Sequence, residues 1–445
     1  MSLPNVYTQL LGSLFSDEEI ETIFSDAEFV RQMLAVEAAL ATAEGNTGVI
    51  PQEAARHIAA SAPTMPADME QLRRGMERAT VPVIALVKQL RDHVGEAAAD
   101  YVHWGATSQD IVDTARVLQI REAVAAIEAR LRQVIHALQP LADGHRQTLM
   151  AGRTHAQQAL PIPFGLKVAG WLAPLLRHMA RLAELKPRLL VLQFGGAAGT
   201  LAALGDRGIA VQEQLAEELA LAVPPMPWHT QRDGLGELAG WLSMVTGSLA
   251  KIAQDIILMA QSEIGEVWES DDPDRGGSST MPQKRNPIVS ERIIAAARAN
   301  AALLPAMHQA MIQEHERGTH GWQMEWLVLP QMLSLTASTL RAAGFLGKNL
   351  VINNARMRQN VEAGHGLMMA EAISFALAEY MPHAEAKELV RRACQTALEE
   401  KRHLLDVLRE HVDVPLDWAG LRDESSYFGV AERFIDRVLT QAEQV

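Results

Sequence analysis

Apolar residues recur at helical spacing through most of the chain, most regularly in the stretch that follows residue 107. Steps of four and three residues alternate along one face of this stretch, at Ile120, Val124, Ile127, Leu131, Val134 and Leu138. Such a seam is typical of a long helix that packs against other helices. We expect the helix to begin at Thr107, because Thr107 and Asp110 have the spacing of a capping box, and to end at Pro140.

Four more stretches show the same periodicity, at about 164–185, 235–267, 287–311 and 327–346. No segment alternates apolar and polar residues with the period of two that a half-buried strand requires, so no strand is predicted. The fold class is therefore all-α. Long helices with apolar seams expose more hydrophobic surface than one chain's bundle covers, which favours a bundle that packs against copies of itself.

Shorter helical patterns flank the long ones and suggest three domains. We predict an N-terminal helical cap domain over residues 1–106 and a central helical bundle over 107–348 that carries the polar motifs described below. A C-terminal helical cap domain, with shorter and more charged helices, is predicted over 349–445.

Composition narrows the class of protein. Hydrophobic residues make up 48% of the 445-residue chain, which excludes a disordered protein, and the net charge of −14 argues against a nucleic-acid partner. Cys394 is the only cysteine, which excludes intrachain disulfides and thiolate metal sites. Residues 1–15 lack a basic segment, and the longest charge-free stretch, 189–205, is short and interrupted by glycines. We therefore expect a cytoplasmic protein with no membrane partner.

Polar loops at the starts of helices are the candidates for chemistry. The strongest is residues 276–287, where Asn286 and Pro287 have the features of a helix N-cap and first turn and Lys284 adds a positive charge. A helix N-terminus beside a lysine suits an anionic substrate. Segments 103–110, 152–158 and 228–233 are similar, and each can also be explained as an ordinary helix cap or a hydrogen-bonded histidine.

Three of these segments, in the same order, resemble the conserved regions of the fumarase/aspartase superfamily. They are Thr107-Ser108-Gln109-Asp110, Gly152-Arg153-Thr154-His155 and the signature-like stretch from Gly277 to Pro287. The resemblance covers essentially the whole chain. It implies a three-domain helical fold, a homotetramer with a twenty-helix core, and active sites that each take residues from three subunits. It implies no cofactor and no metal.

The resemblance also implies a mechanism. Members of the superfamily remove a proton next to a carboxylate, form an aci-carboxylate carbanion and expel a group from the neighbouring carbon, or run the reverse addition. Such a carbanion needs strong electrostatic stabilisation. By the resemblance, Ser278 is the general base and His155 positions or protonates the substrate. The implied carboxylate-binding residues are Thr107, Ser108, Thr154, Lys284 and Asn286.

Further segments resemble one branch of the superfamily, the 3-carboxy-cis,cis-muconate cycloisomerases. They are residues 190–199, 227–233 and 313–317, which add Gln231, Arg232 and Arg317 to the predicted substrate-binding residues. Residues 76–82 lack the histidine usual in adenylosuccinate lyases, which disfavours that branch. The resemblance implies a small polycarboxylate as the substrate, in aromatic catabolism.

Glu291 keeps two alternatives open. In fumarases and many carbon–nitrogen lyases the matching glutamate pairs with the histidine of the second motif, here His155, and we therefore predict Glu291 as a catalytic residue. Such a pair would favour the imidazolium and suits an enzyme that releases fumarate from a succinyl compound. A non-catalytic scaffold like the lens crystallins is a third hypothesis.

A metal site is not predicted. His315 and His320 would point about 140° apart if both lay on one helix, too far apart to share an ion.

Overall fold

The computed structural model describes residues 9–272, 275–277 and 280–445, and most of them are helical. Short and medium helices come first: α1 (Gln9–Phe15), α2 (Glu18–Ile23), α3 (Asp26–Asn46), α4 (Gln52–Ser61), α5 (Met69–Ala79), α6 (Val83–Val94) and α7 (Glu96–Ala99). Several begin where a side chain caps the first turn. The Asp68 carboxylate, for example, accepts a hydrogen bond from the Gln71 N–H at 3.0 Å at the start of α5.

The long helices follow, with short strands between some of them. In chain order the elements are α8 (Ser108–Gly144), β1 (Leu149–Thr154), β2 (Gln157–Pro163), α9 (Phe164–Leu189), α10 (Gly208–Leu219), α11 (Asp233–Ala260), β3 (Val267–Trp268), α12 (Ile288–Ala310), α13 (Gly321–Asn349) and β4 (Val351–Ile352). Shorter helices end the chain: α14 (Asn354–Glu362), α15 (Ala370–Leu377), α16 (His383–Glu400), α17 (Leu404–Arg409), α18 (Trp418–Arg422) and α19 (Ala431–Ala442). The prediction of a mainly helical protein with five long helices is confirmed.

The apolar seam of α8 is buried as predicted, since each of its six residues is at most 3% exposed. The predicted helix ends were wrong at two prolines. Helix α8 passes through Pro140 to Gly144, and α9 passes through Pro187 to Leu189. Both prolines lie in the last turns of their helices, and each removes only the one hydrogen bond that its missing N–H would have donated.

The prediction that the chain has no strand was wrong. Strands β1 and β2 form an antiparallel hairpin, in which Leu149 pairs with Pro163 and Thr154 with Gln157, and β3 pairs with β4. Only two residues, His155 and Ala156, connect β1 to β2, and both have positive φ. Such turns usually contain asparagine or glycine, so the sequence carries no local signal for this one.

The chain divides into two compact units. Unit 1 comprises residues 1–130, 179–247 and 295–340, and unit 2 comprises 131–178, 248–294 and 341–445. A buried apolar cluster of unit 1 joins α3, α4, α6 and the start of α8. In unit 2, α15, α16 and α17 form a separate cluster. The three-domain division drawn from the sequence stays a prediction.

Helix α11 is long and apolar enough, by length and mean hydropathy, to cross a membrane. In the fold, 44% of its most apolar 18-residue window is buried inside the protein. Core helices of soluble proteins meet the same criterion.

Glu44 of α3 makes stability depend on pH. It is fully buried, and neither carboxylate oxygen has a hydrogen-bond partner among the described residues. Burial, with Glu37 nearby, raises its pKa to about 9. Between the unfolded value near 4.5 and about 9, the unfolded chain releases a proton that the folded chain keeps, so stability falls as pH rises.

We expect Glu44→Gln to raise the free energy of unfolding at pH 8 by about 1–3 kcal/mol, because glutamine does not ionise. The gain should vanish as the pH approaches the unfolded value. Urea unfolding across this pH range measures it, with Glu213→Gln on the exposed face of α10 as the control. Equal pH profiles for the wild type and Glu44→Gln would contradict the assignment.

Candidate active site

The first predicted motif lies at the N-terminus of α8. The backbone N–H of Thr107 donates to Asp110 Oδ2 at 3.0 Å, which is one half of the predicted capping box. The Thr107 hydroxyl takes no part in this cap and instead accepts a hydrogen bond from Arg317, described below. Ser108 is the first residue of the helix, and its hydroxyl makes no hydrogen bond to any described residue. Both hydroxyls thus lie at the N-terminus of α8, where the first N–H groups of a helix lack partners within the helix.

Asp110 holds this region together. Its carboxylate is fully buried and accepts hydrogen bonds from the N–H groups of Gly195 at 3.0 Å and Gly196 at 2.9 Å. The imidazole of His229 also donates to it, at 2.7 Å from Nε2. One carboxylate therefore connects the start of α8 to a glycine turn and to the segment before α11.

We expect Asp110→Asn to lower the free energy of unfolding by about 2–4 kcal/mol, because an amide turns one acceptor into a donor that faces other donors. Urea unfolding measures the loss, and Asp100→Asn at an exposed position is the control. An Asp110→Asn protein as stable as the control would show that the four contacts to this carboxylate contribute little.

Arg317 and Thr107, both predicted to bind substrate, are brought together. Arg317 Nη1 donates to Thr107 Oγ1 at 2.9 Å, and Nη2 donates to the carbonyl of Ala197 at 3.1 Å. The Nε of Arg317 is buried and has no hydrogen-bond partner among the described residues. This guanidinium is therefore held against the Thr107 hydroxyl at the start of α8, and a carboxylate oxygen that reached its Nε would find an unused N–H.

Arg232 is placed differently from what a substrate-binding role requires. It is 3% exposed and donates to both Asp113, at 2.7 Å, and Glu325, at 2.8 Å. Burial disfavours its charge, but the two carboxylates outweigh burial and raise the pKa of Arg232. Its donors are occupied inside the protein, so this geometry favours a positioning role. The side-chain amide of Gln231, its exposed neighbour, donates only to the Met226 sulfur, at 3.3 Å, among the described residues.

Sequence reasoning gave no role to Asp113, Glu325 or Trp322, although Trp322 and Glu325 belong to the segment that resembles the cycloisomerases. Trp322 Nε1 donates to Asp113 Oδ1 at 2.8 Å, which completes the buried network around Arg232. Asp113 follows Asp110 by one turn on the same face of α8, and this spacing was the available signal.

In unit 2, the hairpin of β1 and β2 carries the second motif. Thr154 ends β1, and His155 stands exposed at the turn with φ of 50°. A two-residue hairpin turn in which both residues have positive φ requires this left-handed conformation. Behind the turn, Arg153 forms a two-pronged ion pair with the fully buried Glu266, at 2.7 and 2.8 Å. This ion pair fixes the turn end of the hairpin and was also missed from the sequence.

The signature-like loop is closed at its base by Asn286. The backbone N–H and the side-chain amide of Asn286 both donate to the carbonyl of Gly276, at 2.9 and 3.0 Å. Gly276 has φ of 71°, and a Cβ there would lie 2.4 Å from the Asn286 carbonyl oxygen, so only glycine fits. Ser278, the predicted base, and Ser279 lie outside the residues that the structure describes.

The cap predicted for the following helix was wrong. Helix α12 begins at Ile288, and Asn286 does not cap it. The buried carboxylate of Glu269 instead accepts hydrogen bonds from the N–H groups of Val289, at 3.0 Å, and Ser290, at 2.6 Å. An anion from the protein itself thus occupies this helix N-terminus, and Lys284 and Arg285 are left as the positive groups of the loop.

Lys284, Asn286 and Glu291 line one cavity of about 1080 Å³ within unit 2. Lys284 and Glu291 are both exposed to it. Within one chain, no hydrogen bond or ion pair joins His155 and Glu291 among the described residues, so their pairing stays a prediction. The cavity therefore holds the third motif without a contact to the second.

Residues 312–320 form turns, not a helix, so the argument from helical spacing against a metal site there does not apply. In that turn His320 Nδ1 lies 3.3 Å from Glu314, and His315 is exposed with φ of 49°. Among the described ranges of the chain, no group of three or more metal-ligating side chains comes together.

Comparisons with known proteins agree with the motifs. Residues 14–299 match the family model described as Lyase, and residues 366–438 match Adenylosuccinate lyase C-terminus. A 3-carboxy-cis,cis-muconate cycloisomerase of Bradyrhizobium diazoefficiens is 43% identical over 98% of each chain.

Two solved structures share the fold. One is a 3-carboxy-cis,cis-muconate lactonizing enzyme from Pseudomonas putida, with 41% identity, a TM-score of 0.92, and coverage of 98% of this chain and 99% of the other. The other is a fumarate lyase from Mesorhizobium sp. BNC1, with 43% identity, a TM-score of 0.90, and coverage of 96% and 98%.

Proposed function

The chain belongs to the fumarase/aspartase superfamily, and we propose that it is a cycloisomerase that closes 3-carboxy-cis,cis-muconate to a carboxymuconolactone. The observation that carries this proposal is the near full-length similarity to cycloisomerases, together with the paired Arg317 and Thr107. Arg317 lies in a segment that resembles that branch, and its free N–H suits one of the several carboxylates of such a substrate.

Lactone closure is an addition across a double bond. A carboxylate oxygen of the substrate bonds to one alkene carbon, the electron pair moves to the carbon beside another carboxylate, and that carbon takes up a proton. In this proposal Lys284 stabilises the resulting doubly charged aci-carboxylate. In the reverse direction Ser278 removes this proton as a general base. By microscopic reversibility, it donates the proton to the same carbon in the forward direction.

The active site is proposed to form between copies of the chain in a homotetramer. Within unit 2, His155 does not contact the cavity residue Glu291, although both are predicted to be catalytic. Large apolar side chains on the long helices are exposed in a single chain: Leu258 is 48% exposed and Met244 46%. Association would bury such side chains. We also propose that the enzyme is cytoplasmic, needs no cofactor or metal, and binds neither nucleic acid nor membrane.

A direct assay tests the reaction. Purified protein is added to 3-carboxy-cis,cis-muconate, and loss of the diene absorbance is followed, with Ser278→Ala as the control. Loss that the wild type causes and the variant does not would support the cycloisomerase. No loss with the wild type would contradict it.

A second candidate is a lyase that releases fumarate from a succinyl compound. It is favoured by the retention of both His155 and Glu291, and one solved relative of high similarity is a fumarate lyase. N-substituted aspartates are the substrates to try, and fumarate among the products would select this alternative. Failure of all these substrates would revive the non-catalytic scaffold.

A further inference from the structure

Unit 1 contains a second cleft, which shares no lining residue with the predicted active site. It encloses about 420 Å³ between the start of α3, helix α5 and residues of α8 and α13. Three aromatic side chains, Phe24, Phe29 and Trp326, and three methionines, Met33, Met69 and Met76, form much of its wall. The volume is within the range of small-molecule sites, at about 300–1,000 Å³.

Arg116 of α8 supplies the polar end of this cleft. Its guanidinium lies over the Phe29 ring, 4.5 Å from the centroid, and its Nη1 donates to Gln119 Oε1 at 3.0 Å. Its Nε is buried and has no hydrogen-bond partner among the described residues, and no carboxylate there lies within ion-pair distance. Burial lowers the pKa of Arg116 to about 10, so it is still charged at neutral pH. Asp113, Glu325 and Asp26 lie near enough to favour its charge, but none of them bonds to it, and a buried N–H without an acceptor is costly unless an anion reaches it.

The other charges around the cleft limit that anion to a single negative charge. Asp26 and Glu77 also line the wall and would repel a second carboxylate. Arg73, the other arginine there, is already paired with Glu70, at 2.8 Å, and with Glu77. The cleft thus offers one unpaired cation and a largely aromatic and sulfur-containing surface, which suits the flat face of an aromatic ring.

We propose that this cleft binds an aromatic monocarboxylate, with the carboxylate on Arg116 and the ring among the aromatic and methionine side chains. The ligand differs in charge and shape from the polycarboxylate proposed for the active site, so this site is an additional one. The proposal does not depend on which reaction the enzyme catalyses.

Isothermal titration calorimetry of the full-length protein tests the proposal with phenylacetate and its neutral analogue phenylacetamide. We expect saturable binding of phenylacetate and at least about tenfold weaker binding of the amide, because charge-assisted hydrogen bonds are the strong ones. Arg116→Gln should weaken phenylacetate binding by about tenfold or more. Arg73→Gln, which removes a paired arginine from the same wall, should change it by less than about twofold.

Two more variants keep the test decisive. Met76→Trp fills the cleft without changing Arg116 and should abolish phenylacetate binding. If thermal unfolding shows that Arg116→Gln is not folded, the binding measured with Met76→Trp tests the proposal in its place. Lys284→Ala, in the other cavity, should bind phenylacetate as the wild type does. The absence of saturable binding overturns the proposal, and so does equal affinity for phenylacetate and phenylacetamide. Binding that is lost only in Lys284→Ala would place the ligand in the other cavity and also overturns it. A second copy that covers the cleft would give the first of these outcomes.

Discussion

Ser278→Ala is expected to lower kcat/KM by about 10²–10⁴-fold, the usual contribution of a general base. In lactone closure the carbanion takes up a proton, and in the reverse direction the same carbon loses one, so little turnover should remain in either direction when Ser278 cannot transfer that proton. The variant should keep the fold, because the core elements of both units lie elsewhere in the chain. Steady-state kinetics on the substrate identified by the assay above measures the loss.

The neighbouring serine provides the matched control for this experiment. Ser279→Ala changes the same loop by one hydroxyl and should lower kcat/KM by less than about tenfold, since the resemblance gives the proton transfer to Ser278. Near-wild-type activity of Ser278→Ala, or equal losses in the two variants, would show that another group is the base.

Two inactive variants are expected to restore activity when they are combined in one assembly. His155→Ala and Ser278→Ala each remove one motif, and a site built from different copies can take an intact histidine from one chain and an intact serine from another. Random mixing of equal amounts leaves about one quarter of such sites intact. Activity after co-expression, compared with each variant alone, measures the recovery.

The control for this experiment mixes two variants whose substitutions lie in the same loop. Ser278 and Lys284 both lie within residues 276–287, which a single copy contributes as one piece. Mixing Ser278→Ala with Lys284→Ala should therefore restore nothing. Recovery in this control, or none with His155→Ala, would mean that each chain carries a complete site, and the shared-site proposal would be wrong.

The second motif shows how far sequence reasoning reached. His155 was identified by resemblance, but the hairpin that presents it was not predicted, because His-Ala is not a typical turn pair. The same limit applies to Asn286. Asparagine is a typical N-cap residue, but here its side chain donates to the Gly276 carbonyl and closes the loop that contains it. A residue that can cap a helix can also bond elsewhere, and local sequence does not choose between the two.

The sequence by itself determined the long helices, the buried seam of α8 and the order of the three motifs. These follow from periodicity and composition among neighbouring residues, which act before any long-range contact forms. Only the tertiary structure decided which polar residues meet. Arg317 reaches Thr107 across 210 positions, and Arg232 reaches Asp113 across 119. Packing decides such pairs, because a buried charge must find its partner wherever the chain brings one.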